Sequence, residues 1–191
     1  RAMFVAGETV LVNGATGTSG RLAVQIAKHL GAKKVIATGR NRSALDEVAT
    51  FGADATIPLT ADWNADQKVF EGQFASGVDV VLDYLWGLSA HHLLIAAARA
   101  GRDGVPTRFV HIGAMSGPEI SLPGSVLRSS AIQLMGSGLG SVSMDRLLAT
   151  IRELLAATVP GGLRIATRVH PLSDIQQSAK ILFVLSASFS M

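Results

Sequence analysis

Three glycines spaced three apart, Gly14, Gly17 and Gly20, stand between a short apolar run and a helical pattern. Val10, Leu11 and Val12 suit a strand covered on both faces, while Ala23, Ile26, Ala27 and Leu30 recur at helical spacing as one apolar stripe. A turn this poor in side chains lets the chain reverse tightly, bring bare backbone amides to an anion and start a helix close to the sheet. Gly31 closes the helix, and residues 33–38 supply a second strand. A glycine run alone is a weak signal; in this strand-turn-helix-strand context it predicts a dinucleotide site rather than a purely structural turn.

In such units the acceptor for the adenosine ribose is an Asp or Glu at the end of the second strand, about 20 residues past the glycines. This chain has Gly39-Arg40-Asn41-Arg42 there. An acid would accept from a 2′-hydroxyl and repel a 2′-phosphate, whereas guanidinium groups beside a glycine leave room for that phosphate and pair with it in two-pronged fashion. NADP(H) is therefore expected over NAD(H). The alternative is that Arg40 and Arg42 are solvated loop charges, since loops are where exposed arginines usually sit. Asp46 and Glu47 come too late, inside the next helix, to replace the missing acid.

The 191 residues, 48% apolar and 16% charged, suit one domain with a real core and exclude a disordered chain. No apolar stretch approaches the roughly 18 uninterrupted residues that span a bilayer, and the first seven residues are no signal peptide. No membrane partner is expected. The absence of cysteine rules out disulfides and thiolate zinc ligands and fits a cytoplasmic setting. The formal charge of +3 is spread along the chain without a basic arm, so nucleic acid is not an expected partner.

Strand and helix signals then alternate, without a repeat or a low-complexity segment, in the pattern of a doubly wound α/β fold with helices on both faces of a parallel sheet. Residues 43–51 read as a helix ended by Gly52, 55–58 as a third strand, and 66–74 as a polar helix after a loop around Asp62-Trp63-Asn64. Residues 78–83 read as a fourth strand, followed by Gly87 and a helix around 91–98. The fifth strand, 107–112, runs into Gly113-Ala-Met-Ser-Gly117, where a ligand could approach the backbone. A short segment at 121–128 and a sixth strand at 131–135 follow, the latter ending in Gly136-Ser-Gly138. Leu147, Leu148, Ile151, Leu154 and Leu155 pattern a helix over 144–157. Residues 163–169 read as a strand or extended arm, 174–182 as a helix capped from Ser173, and the last seven as irregular.

Several segments in this order resemble successive landmarks of the medium-chain dehydrogenases/reductases, in the zinc-free quinone oxidoreductase-like branch. They are GETVLVNGATGTSG from Gly7, QIAKHLGA from Gln25, Gly52-Ala-Asp54, VDVVLD from Val78 and His170-Pro-Leu-Ser-Asp174. The resemblance implies a six-stranded Rossmann domain in which Thr16, Gly17, Thr18 and Ser19 face the pyrophosphate. It implies further that Arg40 and Asn41 face the adenosine phosphate, and that the strand ends near Gly113 and Gly136 face the nicotinamide. In this family the nucleotide domain follows an N-terminal barrel-like catalytic domain, so residues 1–191 are expected to be the cofactor-binding domain alone, with that barrel absent and the isolated piece inactive. The implied activity of the parent is hydride transfer from NADPH to a quinone or an α,β-unsaturated carbonyl, a small-molecule substrate, without metal. The resemblance also implies a possible homodimer through the sixth strand. A binding module that keeps NADPH as a ligand without turnover, a redox sensor, is the competing class.

No catalytic residue stands out. His91 and His92 lie on a helix without a metal-binding motif, and His111 reads as a core residue rather than a base. Asp79 and Asp83 share a strand face but lie about 13 Å apart, too far to cooperate, and Asp83 reads as structural although it could border the cofactor cleft. Short-chain reductases use a Tyr with a Lys four residues on; the only tyrosine is Tyr84, and Leu occupies position 88. A nucleophile elbow is missing, since Ser137 in Gly136-Ser-Gly138 is a superficial likeness. A methyltransferase would call for an acid where Gly39-Arg40 stands.

Overall fold

The computed structural model describes residues 1–165, together with 167 and 171. Six strands alternate with helices: β1 (Thr9–Asn13), α1 (Thr18–His29), β2 (Lys34–Gly39), α2 (Arg42–Thr50), β3 (Ala55–Pro58), α3 (Trp63–Ala75), β4 (Val80–Asp83), α4 (Gly87–Ala100), β5 (Thr107–His111), α5 (Gly124–Arg128), β6 (Ile132–Gly136) and α6 (Met144–Thr158). All neighbouring strands are parallel, in the order β3-β2-β1-β4-β5-β6. The order reverses direction at β1 and β4, so a crevice opens at the carboxyl ends of those two strands.

Alternation along each strand feeds two apolar layers. Leu11, Ile36, Val81 and Phe109 point to one face, where Phe70 and Phe74 of α3 and Leu93 and Leu94 of α4 cover them. Val10, Val12, Val35, Ala37 and Val80 point to the other, under Ala23, Val24 and Ala27 of α1 and Leu45 and Val48 of α2. All five residues of β1 are buried, which is why that strand reads as an unbroken apolar run rather than an alternating one.

Boundaries differ from expectation where side chains hold backbone amides. α3 begins at Trp63, three residues before the expected start, because Asp62 accepts from the amides of Asn64 and Ala65 at 3.2 and 3.1 Å. Asp66 is buried in the first turn of α3, where its carboxylate accepts from the Thr60 amide and hydroxyl, both at 2.8 Å. α4 starts at Gly87 rather than near His91, since the Asp83 carboxylate takes up the amides of Leu85 and Trp86 just before it. α6 forms where its periodicity predicts, capped by Ser143, yet none of its residues is buried and Leu148, Ile151 and Leu155 are 52%, 44% and 69% exposed. Periodicity predicts a helix and one apolar side; it does not name what lies against that side. The expected arm over 163–169 is described only in part, and the expected helix over 174–182 lies outside the described residues.

Helix α1 sits hard against the sheet at Gly20. A Cβ there would stand 2.7 Å from the Ala15 α-carbon and closer still to the Gly14 carbonyl, backbone that cannot move aside. Gly20→Ala is therefore expected to cost about 1–3 kcal/mol, the range for overpacked interiors, read as a lower urea midpoint with an unchanged slope.

Candidate functional site

The glycine turn lies in the crevice between β1 and β4. Gly14 has φ +88°, a left-handed conformation that favours glycine, and its neighbour Ala15 is fixed by its backbone amide, which donates a hydrogen bond to the Thr38 carbonyl at 2.8 Å. Gly17, Thr18 and Ser19 are exposed at the start of α1. No side chain caps this helix and no acidic residue occupies its first turn. Thr18, Ser19 and Gly20 therefore present amides that the helix itself cannot satisfy, at its positive end. A Cβ on Gly17 would meet nothing within 4 Å, so the turn leaves open space beside the helix start. That arrangement fits the pyrophosphate of a dinucleotide.

Arg21, which sequence reading passed over as an ordinary helical residue, braces the turn. Its Nε donates to the Thr16 carbonyl at 3.0 Å, and it pairs with Glu47 of α2 at 2.7 Å. Together with Thr16, Gly17, Thr18, Phe51 and Arg164 it lines a cavity of about 230 Å³ beside the turn. The available signal was electrostatic: a cation in the first turn of a helix opposes the macrodipole unless an anion belongs there.

At the end of β2, Gly39 is buried and Arg40 and Asn41 are exposed. A Cβ on Gly39 would come within 2.5 Å of Thr16 Cγ2, so the bare position makes room for the turn. The contact brings the Arg40 backbone next to the turn. Among the described residues Arg40 and Arg42 take part in no salt bridge. Asn41 caps α2, its Oδ1 accepting from the Ala44 amide at 3.0 Å, which leaves its amide NH2 to donate outward.

Of the two expected nicotinamide-side glycines, Gly113 follows β5 by two residues and is backed by protein: a Cβ would lie 3.0 Å from the Tyr84 carbonyl. Gly136 ends β6 and would meet nothing within 4 Å; its carbonyl accepts from Arg1 Nε at 3.0 Å.

A buried polar row crosses the floor of the crevice, and it joins residues that sequence reading did not group. Thr38, Asn13, Asp83 and His111 are in register on β2, β1, β4 and β5. Thr38 Oγ1 donates to Asn13 Oδ1 at 2.7 Å, and Asn13 Nδ2 donates to Asp83 Oδ1 at 2.7 Å and to Ser89 Oγ at 3.0 Å. Thr38 Oγ1 in turn accepts from the Gly14 amide at 3.2 Å. Thr38, Asn13 and Asp83 are wholly buried. Burial pushes the Asp83 carboxyl above its usual range, against the hydrogen bonds from Asn13, Trp86 and Leu85 that favour the carboxylate. Burial likewise raises the Tyr84 phenol. The row had a sequence signal: each of these strands carries a polar residue at or next to its carboxyl end, after a run of apolar ones.

His91, His92 and Asp79 are not members of the polar row. His91 Nδ1 meets the Ser121 carbonyl at 2.7 Å, His92 stacks on Trp63 with centroids 5.2 Å apart, and Asp79 accepts from the Thr9 amide at 2.8 Å. Among the described residues, no three His, Cys, Asp or Glu side chains gather in a way that could hold a metal ion. No helix there is long and apolar enough to cross a membrane.

A parallel sheet in this order, with an open glycine turn and a bare helix N-terminus at its switch point, defines a Rossmann-type dinucleotide-binding domain. Residues 20–157 match the zinc-binding dehydrogenase family, and the chain belongs to it. Among curated relatives, the "Probable NADPH-dependent quinone reductase tdiC" of Emericella nidulans is 31% identical over 160 residues, which cover 80% of this chain and 44% of that protein. The "Spectinabilin polyketide synthase system protein NorB" of Streptomyces orinoci is 37% identical over 162 residues, 83% of this chain and 7% of that protein. Among solved structures, the quinone oxidoreductase of Thermus thermophilus, described with its NADPH complex, superposes with a TM-score of 0.61 at 28% identity, covering 84% of this chain and 47% of that one. The chain thus spans less than half the length of each of these proteins.

Gly17→Ala separates binding from stability. With open space around the new methyl, folding stability is expected to stay within about 0.5 kcal/mol, while dinucleotide affinity is expected to fall as the methyl fills part of the open space at the helix start. Urea unfolding and NADPH fluorescence titration on the same samples read the two effects.

Proposed function

We propose that this chain is the NADP(H)-binding domain of a quinone or enone oxidoreductase. The observation that carries the reading is the pairing of an open, uncapped α1 N-terminus with an exposed Arg40 at the end of β2, where an NAD-binding site would place an acid. The names of the tdiC and Thermus relatives support the choice of NADPH and of quinone reduction. In this reading Thr18, Ser19 and Gly20 hold the pyrophosphate by their amides, and the Arg40 guanidinium and the Asn41 amide receive the 2′-phosphate. The strand ends at Gly113 and Gly136 border the nicotinamide. When bound, the cofactor supplies the hydride; the residues of this chain bind and orient it.

Calorimetry is expected to show NADPH bound more tightly than NADH, and Arg40→Glu to weaken NADPH by about tenfold or more, the equivalent of one lost charge-assisted hydrogen bond, with NADH little changed. Equal affinity for the two forms in the unsubstituted chain would sink the reading. NADPH oxidation by the whole protein with a panel of quinones and enones tests turnover, and tight binding without any oxidation points to a sensor instead.

We infer in addition a homodimer through β6. Among the described residues that strand is the edge of the sheet, paired on one side only with β5, and Gln133 and Leu134 are exposed along it. Sedimentation at rising concentration is expected to show a dimer; a monomer throughout would count against edge pairing.

A further inference from the structure

The buried polar row has one open end. Thr38, Asn13 and Asp83 are joined by short hydrogen bonds, whereas His111 Nδ1 stops 3.5 Å from Asp83 Oδ2. Among the described residues that nitrogen is sealed from solvent and makes no hydrogen bond. An unmade bond of this kind in an interior costs about 1–3 kcal/mol, so it calls for a reason.

Asp83 has room for the missing donor. Its Oδ1 accepts from Asn13 Nδ2 and the Leu85 and Trp86 amides, while Oδ2 accepts only from the Trp86 amide, at 3.2 Å. The imidazole lies against the Trp86 ring, centroids 4.2 Å apart and planes tilted by 36°. Trp86 has φ +56°, which a bulky residue adopts only under constraint, and it bridges to Gly117. A strained loop and an open hydrogen bond therefore share the carboxyl ends of β4 and β5, two residues before Gly113.

We propose that His111 is a positioning residue for the nicotinamide half of the cofactor: with that half bound, its ring tilts on Trp86 and donates Nδ1–H to Asp83 Oδ2. The completed row then runs from the nicotinamide side through Asp83, Asn13 and Thr38 to the Gly14 amide at the pyrophosphate turn. Both ends of one ligand are referred to a single line of buried hydrogen bonds. A further donor on Oδ2 also favours the charged form of Asp83, which burial opposes. The proposal rests on the dinucleotide reading above, and its test separates the two.

Isotope-labelled histidine in the full chain, followed by nitrogen-correlated NMR, reads the His111 tautomer directly. Saturating NADPH is expected to shift His111 Nδ1 to a protonated, hydrogen-bonded position. Adenosine 2′,5′-bisphosphate, which carries the adenosine end without nicotinamide, is expected to leave it in place. NADPH binding with an unmoved His111, or an equal shift with the bisphosphate, overturns the positioning role while leaving the cofactor reading intact; binding of neither ligand overturns both. His111→Phe keeps a ring on Trp86 and is expected to weaken NADPH about tenfold, one hydrogen bond to a charged group, without affecting the bisphosphate. An equal loss for both ligands marks a merely structural role and overturns the proposal.

Discussion

The close approach of α1 to the β1 turn governs the rest of the molecule. Because Gly20 carries no side chain, the first turn of α1 rests against the Gly14 carbonyl and the Ala15 α-carbon. The helix can then lie flat enough on β1 and β2 for Ala23, Val24 and Ala27 to reach the sheet. The same approach aims its unsatisfied amides into the crevice between β1 and β4, where the strand order reverses. A bulkier residue at that point would tilt the helix away from the sheet and the amides away from the crevice together. Packing and ligand recognition thus depend on one van der Waals contact.

Beneath the turn, the structure accepts polar groups in its interior and satisfies them. Thr38, Asn13 and Asp83 occupy positions where a purely apolar layer would serve stability as well, yet they form a continuous run of hydrogen bonds in the sheet's own register. The run holds the Gly14 amide at one end and the Trp86 loop at the other. In a medium of low dielectric such bonds are strong and their absence is costly, so the row fixes the positions of two loops that face one crevice.

The glycines, the strand that follows them and the alternation of elements were legible because each is a local pattern. Gly14, Gly17 and Gly20 announced a tight turn and a near helix, and the apolar runs placed six strands within a residue or two of where they lie. Helix starts were less legible at α3 and α4, since Asp62 and Asp83 act through backbone amides that lie close only once the chain has turned. The packing of Gly39 against Thr16 was not legible, because the two lie in different segments of the chain. The residues of the polar row were each visible as polar strand ends, but nothing in the spacing of Asn13, Thr38, Asp83 and His111 announces that they meet.

Sequence by itself determined the doubly wound α/β class, the glycine turn and the lack of an acid after the second strand, because these follow from periodicity and residue type within a few positions of one another. Only the tertiary structure decided which face each apolar stripe covers, that Arg21 braces the turn at Thr16, and that the ends of β2, β1 and β4 join in one buried row. Those facts depend on strand order and register, which bring together residues 24 to 70 positions apart in the chain. Local propensity carries no information across such separations; burial and hydrogen-bond satisfaction in the assembled sheet do.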